Sequence, residues 1–427
     1  MNRAGNVILS VFAVAMLAAC TEETHVPRAP ATESQVLPGT WRAVVKIPGG
    51  DLPFQIELQR TERSGWMAYY VNGEERVRVR EVEIGEDSVN LFMPAFNSRI
   101  VVDLQDGALV GEMTVIKTHA DPHVMPFRAE HDQHYRFFEM LRPPEINVSG
   151  RWAVTFVDDE GNETPAVGIF RQQGAHVTGT FLTPLSDYRY LAGEVNGKQL
   201  FLSAFDGSHV FLFKAEMNEQ GKLLGDFWSA MKWHESWTAS LDPDAELPDP
   251  ENLTFLNEGF DRFAFTFPDL DGNPVSLTDR QFNNKVIIIT LAGSWCPNCH
   301  DEAAFMAPWY LQNRERGVEV VALMFEHYGD FKMAAQQTRE FRKKFGIEYT
   351  TLIAGVSDKE EAGKVLPMLN AVIAFPTTLF IDAQGNVRRI HTGFNGPGTG
   401  ERFEVFKRDF TSYVDTLVAE RVAQDRS

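Results

Sequence analysis

Two cysteines three residues apart, Cys296 and Cys299, carry the clearest chemical signal in the chain. They sit in the segment Ser294-Trp295-Cys296-Pro297-Asn298-Cys299-His300-Asp301-Glu302. A pair with this spacing can cycle between dithiol and disulfide. The reaction needs a thiolate, and a free cysteine is mostly protonated at neutral pH. The segment follows a β-branched apolar run, Val286-Ile-Ile-Ile-Thr290, and opens a helix-like stretch. Backbone N–H groups at a helix N-terminus favour an anion at Cys296. Pro297 fits the first helical turn without losing a needed donor. Two intervening residues let Cys299 reach back one turn. The expected division of labour is attack by Cys296, at the exposed helix start, and resolution of the mixed disulfide by Cys299.

Two other chemistries are written in the same residues. Cys296-Pro-Asn-Cys299-His300 is a C-x-x-C-H string, the pattern of c-type haem attachment. Haem needs a cavity and usually a second axial ligand, and it does not explain a buried strand ahead of the motif. A peroxiredoxin-like peroxidase normally has Thr or Ser three residues before its nucleophile, where this chain has Gly293. Cofactor-free exchange is the favoured reading, with His300 read as a solvated side chain. A histidine group, His119, His123, His131 and His134 with Asp121 and Asp132, has no firm metal-ligand spacing. No metal is expected there.

The elements around the motif predict an α/β sheet with parallel pairs. Val286–Thr290 reads as a strand buried on both faces. Asp301–Arg316 is helix-like, Val318–Met324 a second buried strand, and Phe331–Phe345 a charged helix. Thr378–Ile381 and Asn386–Ile390 are further strands, and Phe403–Ala419 closes as an amphipathic helix.

Residues 39–242 read differently. Phe54-Gln-Ile-Glu-Leu58 and Arg76-Val-Arg-Val-Arg80 alternate apolar and polar positions, and Val82-Glu-Ile84 resumes one residue out of step, as at a bulge. Asn-Gly turns recur at Asn72-Gly73 and Asn196-Gly197. The region is also duplicated. Gly39-Thr-Trp41 matches Gly150-Arg-Trp152, Leu91–Phe96 matches Leu200–Phe205, and Gly107–Glu112 matches Gly221–Asp226, each pair about 110 residues apart. Two antiparallel sandwiches or barrels satisfy this spacing. The fold class expected is multidomain: two all-β antiparallel repeats at 37–143 and 146–241, a linker at 242–251, and an α/β domain at 252–427. The linker is acidic with three prolines, so stiff, and few contacts are expected to cross it.

Residues 1–19 read as a signal peptide whose apolar run, Val7–Ala19, is too short to span a bilayer. It ends in Leu17-Ala18-Ala19-Cys20, which resembles a bacterial lipobox and implies lipidation at Cys20. Residues 20–36 would be a tether. No aspartate follows Cys20, which favours the outer over the inner membrane. With Cys20 so used, Cys296 and Cys299 are the remaining cysteines, and their loop is too short to act as a staple. The formal net charge of −19 repels phosphate backbones, so no nucleic-acid partner is expected.

The motif resembles the active site of the thioredoxin superfamily, in particular the TlpA/ResA-type extracytoplasmic thioredoxins. Trp295 stands before the first cysteine as in that family, and Glu302 stands three residues after the second. Phe375-Pro376-Thr377-Thr378 matches the cis-proline loop that faces the cysteines. Phe265–Val275 and the tail Gly393-Phe-Asn-Gly-Pro-Gly-Thr-Gly400 fit the same group, so the likeness covers about 260–418. The resemblance implies a thioredoxin fold, Glu302 as a proton acceptor near Cys299, and substrate contact at Trp295, Phe375 and Pro376. One departure is Thr290, where thioredoxin itself has a buried aspartate. The implied partners are a protein disulfide or dithiol substrate and an envelope thiol donor, in the periplasm on a lipid anchor. Neutral Pro297 and Asn298, followed by acidic Asp301 and Glu302, disfavour a thiolate and point to a reductant. The alternative from another class is an envelope scaffold built on the β repeats, with the redox domain ancillary.

Overall fold

Alternation in the N-terminal half becomes strands with one buried face: Phe54, Ile56 and Leu58 are buried, and the residues between them are partly exposed. The computed structural model describes residues 34–62, 65–93, 96–116 and 122–424. Cys20, the expected signal segment, His119 and Asp121 lie outside the described residues.

The first nine strands are β1 (Gly39–Ile47), β2 (Gly50–Arg60), β3 (Trp66–Asn72), β4 (Glu75–Arg78), β5 (Glu81–Ile84), β6 (Ser88–Met93), β7 (Ser98–Gln105), β8 (Ala108–Ile116) and β9 (Pro122–His131). They form one antiparallel sheet in the order β4-β3-β2-β1-β9-β8-β7-β6-β5. Eight more follow: β10 (Gly150–Asp158), β11 (Glu163–Gln173), β12 (His176–Leu182), β13 (Leu191–Asn196), β14 (Gln199–Phe205), β15 (Val210–Met217), β16 (Leu223–Ser229) and β17 (Trp233–Leu241). These close into a barrel through β10 and β17. Phe156, Phe181, Phe213, Phe227 and Trp237 fill its interior, with Phe213 and Phe227 stacked 4.3 Å apart.

Both sheets follow the same meander. Trp41 and Trp152 are buried at equivalent places, and each indole N–H donates to the carbonyl four residues back, Leu37 at 3.0 Å and Val148 at 2.9 Å. The copies differ at one strand. Where the second has an unbroken β13, the first has β4 and β5, which become the two edges of its sheet. The out-of-step alternation around Val82 is the sequence record of that break. The first copy therefore stays open where the second closes.

Residues 242–247 run along the barrel instead of standing free. The Asp242 N–H donates to Arg151 O, Arg151 Nε donates to Ala245 O at 2.6 Å, and Ala245 packs on Val167 and Leu182.

The C-terminal part is α/β. A hairpin of β18 (Thr266–Pro268) and β19 (Pro274–Ser276) precedes β20 (Val286–Ala292) and α1 (Pro297–Asn313). Then come β21 (Val318–Glu326), α2 (Phe331–Phe345), β22 (Thr350–Val356), α3 (Lys359–Val365), β23 (Thr377–Ile381), β24 (Val387–Thr392) and α4 (Glu401–Gln424). The five-stranded order is β22-β21-β20-β23-β24, parallel for the first three and antiparallel at β23 and β24. Every residue of β20 is buried, as its apolar run requires. The fold class is the one the sequence predicts. Strand β22 and helix α3 were not foreseen, although Thr350-Thr-Leu-Ile353 is made largely of strand-favouring residues and Asp358 caps the short helix that follows.

Candidate functional site

Helix α1 begins at Pro297, so Cys296 is its N-cap residue. The Cys296 sulfur accepts the Cys299 N–H at 3.2 Å, and the Cys296 thiol donates to Phe375 O at 3.3 Å. Both cysteines are free thiols. Cys296 is 4% exposed and Cys299 1%. Cys296 is thus more enclosed than a bare helix start implies, because the Phe375–Pro376 loop packs over it. The peptide bond between Phe375 and Pro376 is cis. The Trp295 indole N–H donates to Phe325 O at 2.8 Å, its ring stacks on His327 at 4.5 Å, and it meets Phe375 edge-on at 5.8 Å. Trp295, Phe375 and Pro376 therefore stand together around Cys296.

Glu302 lies one turn beyond Cys299 and is 3% exposed. The hydroxyls of Thr290 and Thr378 each donate to its carboxylate at 2.6 Å. Thr290 occupies the strand position that holds aspartate in thioredoxin, so here the strand holds the acid by a hydrogen bond instead of carrying it. Burial pushes the Glu302 carboxyl up, against those two hydrogen bonds. Burial also pushes the Cys299 thiol well up, helped by its hydrogen bond with Cys296 and by the charges of Cys296 and Glu302. A carboxylate beside a reluctant thiol is suited to take its proton.

Several site neighbours were missed or misread in the sequence. Glu326 ends β21 and is 1% exposed. It accepts Ser294 N–H at 3.0 Å, Ser294 Oγ at 2.7 Å and Thr338 Oγ1 at 3.2 Å, which ties down the loop ahead of Trp295. Burial pushes its carboxyl up to about 7. A lone acid at the end of an apolar strand was the available signal. His300, expected in solvent, is buried. Its Nε2 lies 2.6 Å from Ser294 O, its Nδ1 2.8 Å from Lys344 Nζ, and its ring stacks on Phe96 at 4.3 Å. Burial, then the Lys344 charge, holds it well below the usual histidine range. With both ring nitrogens engaged, it has no face to offer a haem iron.

The barrel also reaches the motif. Asn298 Nδ2 donates to Asp187 Oδ2 at 3.2 Å and to Phe394 O at 3.1 Å. Asp301 pairs with Arg189. No spacing in the sequence announces either contact. In the histidine group, His131 Nε2 lies 3.0 Å from Pro38 O, and His134 pairs with Asp132 at 3.3 Å. Among the described residues no three metal-ligating side chains converge.

Residues 260–405 match the Redoxin family model. Thiol-disulfide oxidoreductase ResA of Bacillus subtilis is 28% identical over 138 residues, 32% of this chain and 69% of that protein. The ResA protein of Geobacillus thermodenitrificans is 30% identical over 131 residues, 30% of this chain and 66% of its own length. The C-terminal domain is a TlpA/ResA-type thioredoxin. A thioredoxin-family thiol:disulfide interchange protein from Chlorobium tepidum is 21% identical with a TM-score of 0.29, covering 38% of this chain and 98% of its own. This thioredoxin domain is a thiol–disulfide oxidoreductase.

Proposed function

We propose that the protein reduces disulfides of other proteins outside the cytoplasm, with Cys296 as nucleophile and Cys299 as resolving thiol. The observation that carries this reading is the N-cap position of Cys296, whose sulfur accepts the Cys299 N–H at 3.2 Å beside the Phe375–Pro376 loop. A sulfur so placed is stabilised as an anion by the helix N-terminus. The Cys296 thiolate bonds to one substrate sulfur, and the other leaves and takes a proton. Cys299 then passes its proton to Glu302 and attacks the Cys296 sulfur. The first substrate sulfur leaves as a thiolate and is protonated. Two electrons have moved from dithiol to substrate, and an external thiol donor restores the pair. Trp295, Phe375 and Pro376 are the surfaces against which substrate backbone would lie.

The neutral residues Pro297 and Asn298 support the direction, because a strongly oxidising pair depends on a stabilised thiolate. The Leu17–Cys20 segment supports export, lipidation of Cys20 and a periplasmic site on the outer membrane. The duplicated meander supports a division into two β domains, 37–143 and 146–241, with the redox domain at 252–427.

The test is a Cys299→Ser chain expressed in the envelope. It should accumulate mixed disulfides, and Cys296→Ser should not. The reverse pattern would overturn the assignment of attack. Equilibration of the unaltered chain in thiol buffers, read by Trp295 fluorescence, should give a midpoint nearer about −270 mV than about −120 mV. A value near the latter would make it a disulfide donor. Mass spectrometry of the mature N-terminus should find diacylated Cys20, and an unmodified Cys20 would refute the anchor.

A further inference from the structure

Arg189 stands in the short segment between β12 and β13 of the barrel, at a left-handed φ of 55°. Few non-glycine residues adopt that conformation. Here Asp187 Oδ1 accepts the Arg189 N–H at 2.7 Å and holds the turn. The guanidinium meets three carboxylates from three parts of the molecule. It pairs with Asp301 of α1, lies 2.5 Å from Glu75 of β4, and its Nε is 2.9 Å from Asp206, which follows β14. His209 Nδ1 lies 3.0 Å from the same Asp206 oxygen. All four charged side chains of the Arg189 cluster are nearly buried.

The same segment touches the residue between the cysteines. Asp187 Oδ2 accepts from Asn298 Nδ2 and, at 2.7 Å, from the Gly396 N–H. The glycine-rich tail is glycine where this packing demands it. A Cβ on Gly393 would lie 2.2 Å from Leu185 O, one on Gly396 2.5 Å from Asp301 Oδ2, and one on Gly398 2.9 Å from Arg189 C. The tail, the barrel segment and the first turns of α1 are thus fitted to one another at backbone distance.

We propose that the barrel segment Asp187–Arg189 is a built-in part of the redox centre, in which Asp187 and Arg189 are positioning residues that hold the first turns of α1 and set the dithiol–disulfide equilibrium of Cys296 and Cys299. This deepens the reading given under Proposed function and rests on it. Buried charges are screened little by salt, so they act on one another across a helical turn. Asp301 is two residues past Cys299, and an anion there opposes a thiolate at Cys296. Arg189 offsets it, and burial leaves the Asp301 carboxyl at about 7. The β repeats thereby tune the sulfur chemistry from the outer side of the motif.

The test compares midpoint potentials of the full chain, Arg189→Gln and Asp301→Asn in thiol buffers at pH 8.5, where Asp301 is ionised. Arg189→Gln leaves the carboxylates without their cation and should make the pair more reducing. Asp301→Asn should make it less reducing. Each equilibrium constant should move three- to tenfold, and tenfold is about 30 mV for this two-electron couple. Opposite signs from two ends of one ion pair are not produced by loosening of the fold. A folded Arg189→Gln chain, checked by circular dichroism, with an equilibrium constant within a factor of two of the unaltered one overturns the inference. If Arg189→Gln does not fold, Asp301→Asn decides, and an unmoved midpoint overturns the inference. An unaltered chain with no reversible couple overturns the proposed function too, whereas a normal couple with unmoved variants removes only the role of the barrel.

Discussion

Replacing Glu326 by glutamine should remove a pH-dependent loss of stability. Folded Glu326 keeps its proton to about 7, against 4.5 for an unperturbed carboxyl, because burial penalises the anion. Below 4.5 both folded and unfolded chains hold the proton, and the contribution is fully present. As pH rises, the unfolded chain ionises first, and the contribution is lost by the time the folded group ionises. That gap is worth about 3 kcal/mol, at about 1.4 kcal/mol per pH unit. Glutamine cannot ionise, and the hydroxyls of Ser294 and Thr338 can turn to meet its amide, so the fold should survive. Denaturant unfolding followed by tryptophan fluorescence from pH 4.5 to 8 should therefore show the two proteins diverging by about 3 kcal/mol in favour of glutamine. Parallel curves would refute the reasoning, since they would mean that Glu326 is already ionised in the folded chain.

Glu302→Gln should slow the resolving step about 100-fold, within the range for a lost proton acceptor, while attack by Cys296 is unchanged. Rapid acid quenching should find the mixed disulfide accumulating, and the rise of the native resolving rate through the raised pKa of Glu302 should vanish in the variant; a native rate and profile would refute the role. Trp152→Ala should cost about 3–5 kcal/mol, because it empties a buried site in the barrel. Calorimetry checks this, and Trp41→Ala should behave alike as the equivalent residue of the first copy. Gly193→Ala should cost about 1–3 kcal/mol by overpacking, since its Cβ would fall 1.8 Å from Phe201 O across the β13–β14 ladder. A melting temperature equal to the native one would contradict that crowding.

Chemistry that depends on neighbours in sequence was legible; chemistry assembled across the fold was not. Cys296, Pro297 and Cys299 share one helical turn, so their spacing states their geometry. Pro376 was found through resemblance, since nothing local ties it to a cysteine 80 positions earlier. The duplicated meander was readable because Trp41 and Trp152 do the same job with the same hydrogen bond. Charge was the poorer guide. Asp301, counted as a free negative charge beside the thiol, is paired with Arg189, 112 residues away. His300, read as solvated, is covered by Phe96 from the connection between β6 and β7. For the same reason the expectation of few contacts across 242–251 fails: Glu251 of the linker pairs with Arg389 of β24, and the barrel reaches the helix start through Asp187 and Arg189.

The ladder that carries the motif also has a bearing on the order in which the chain acquires its shape. Strand β20 needs β23, so Ile287 must find Ile381, and the barrel needs Trp152 to find Leu241. Pairings between residues this far apart form slowly, because a long loop must close before any contact rewards it. Throughout that search a reactive dithiol would be in the open. Elsewhere this invites scrambled cross-links. Here, apart from Cys20, the sequence offers Cys296 no thiol but Cys299, three residues away, so the wrong intrachain bond has almost no partner with which to form. A slow-closing topology is compatible with reactive sulfur because thiols are so scarce in this chain.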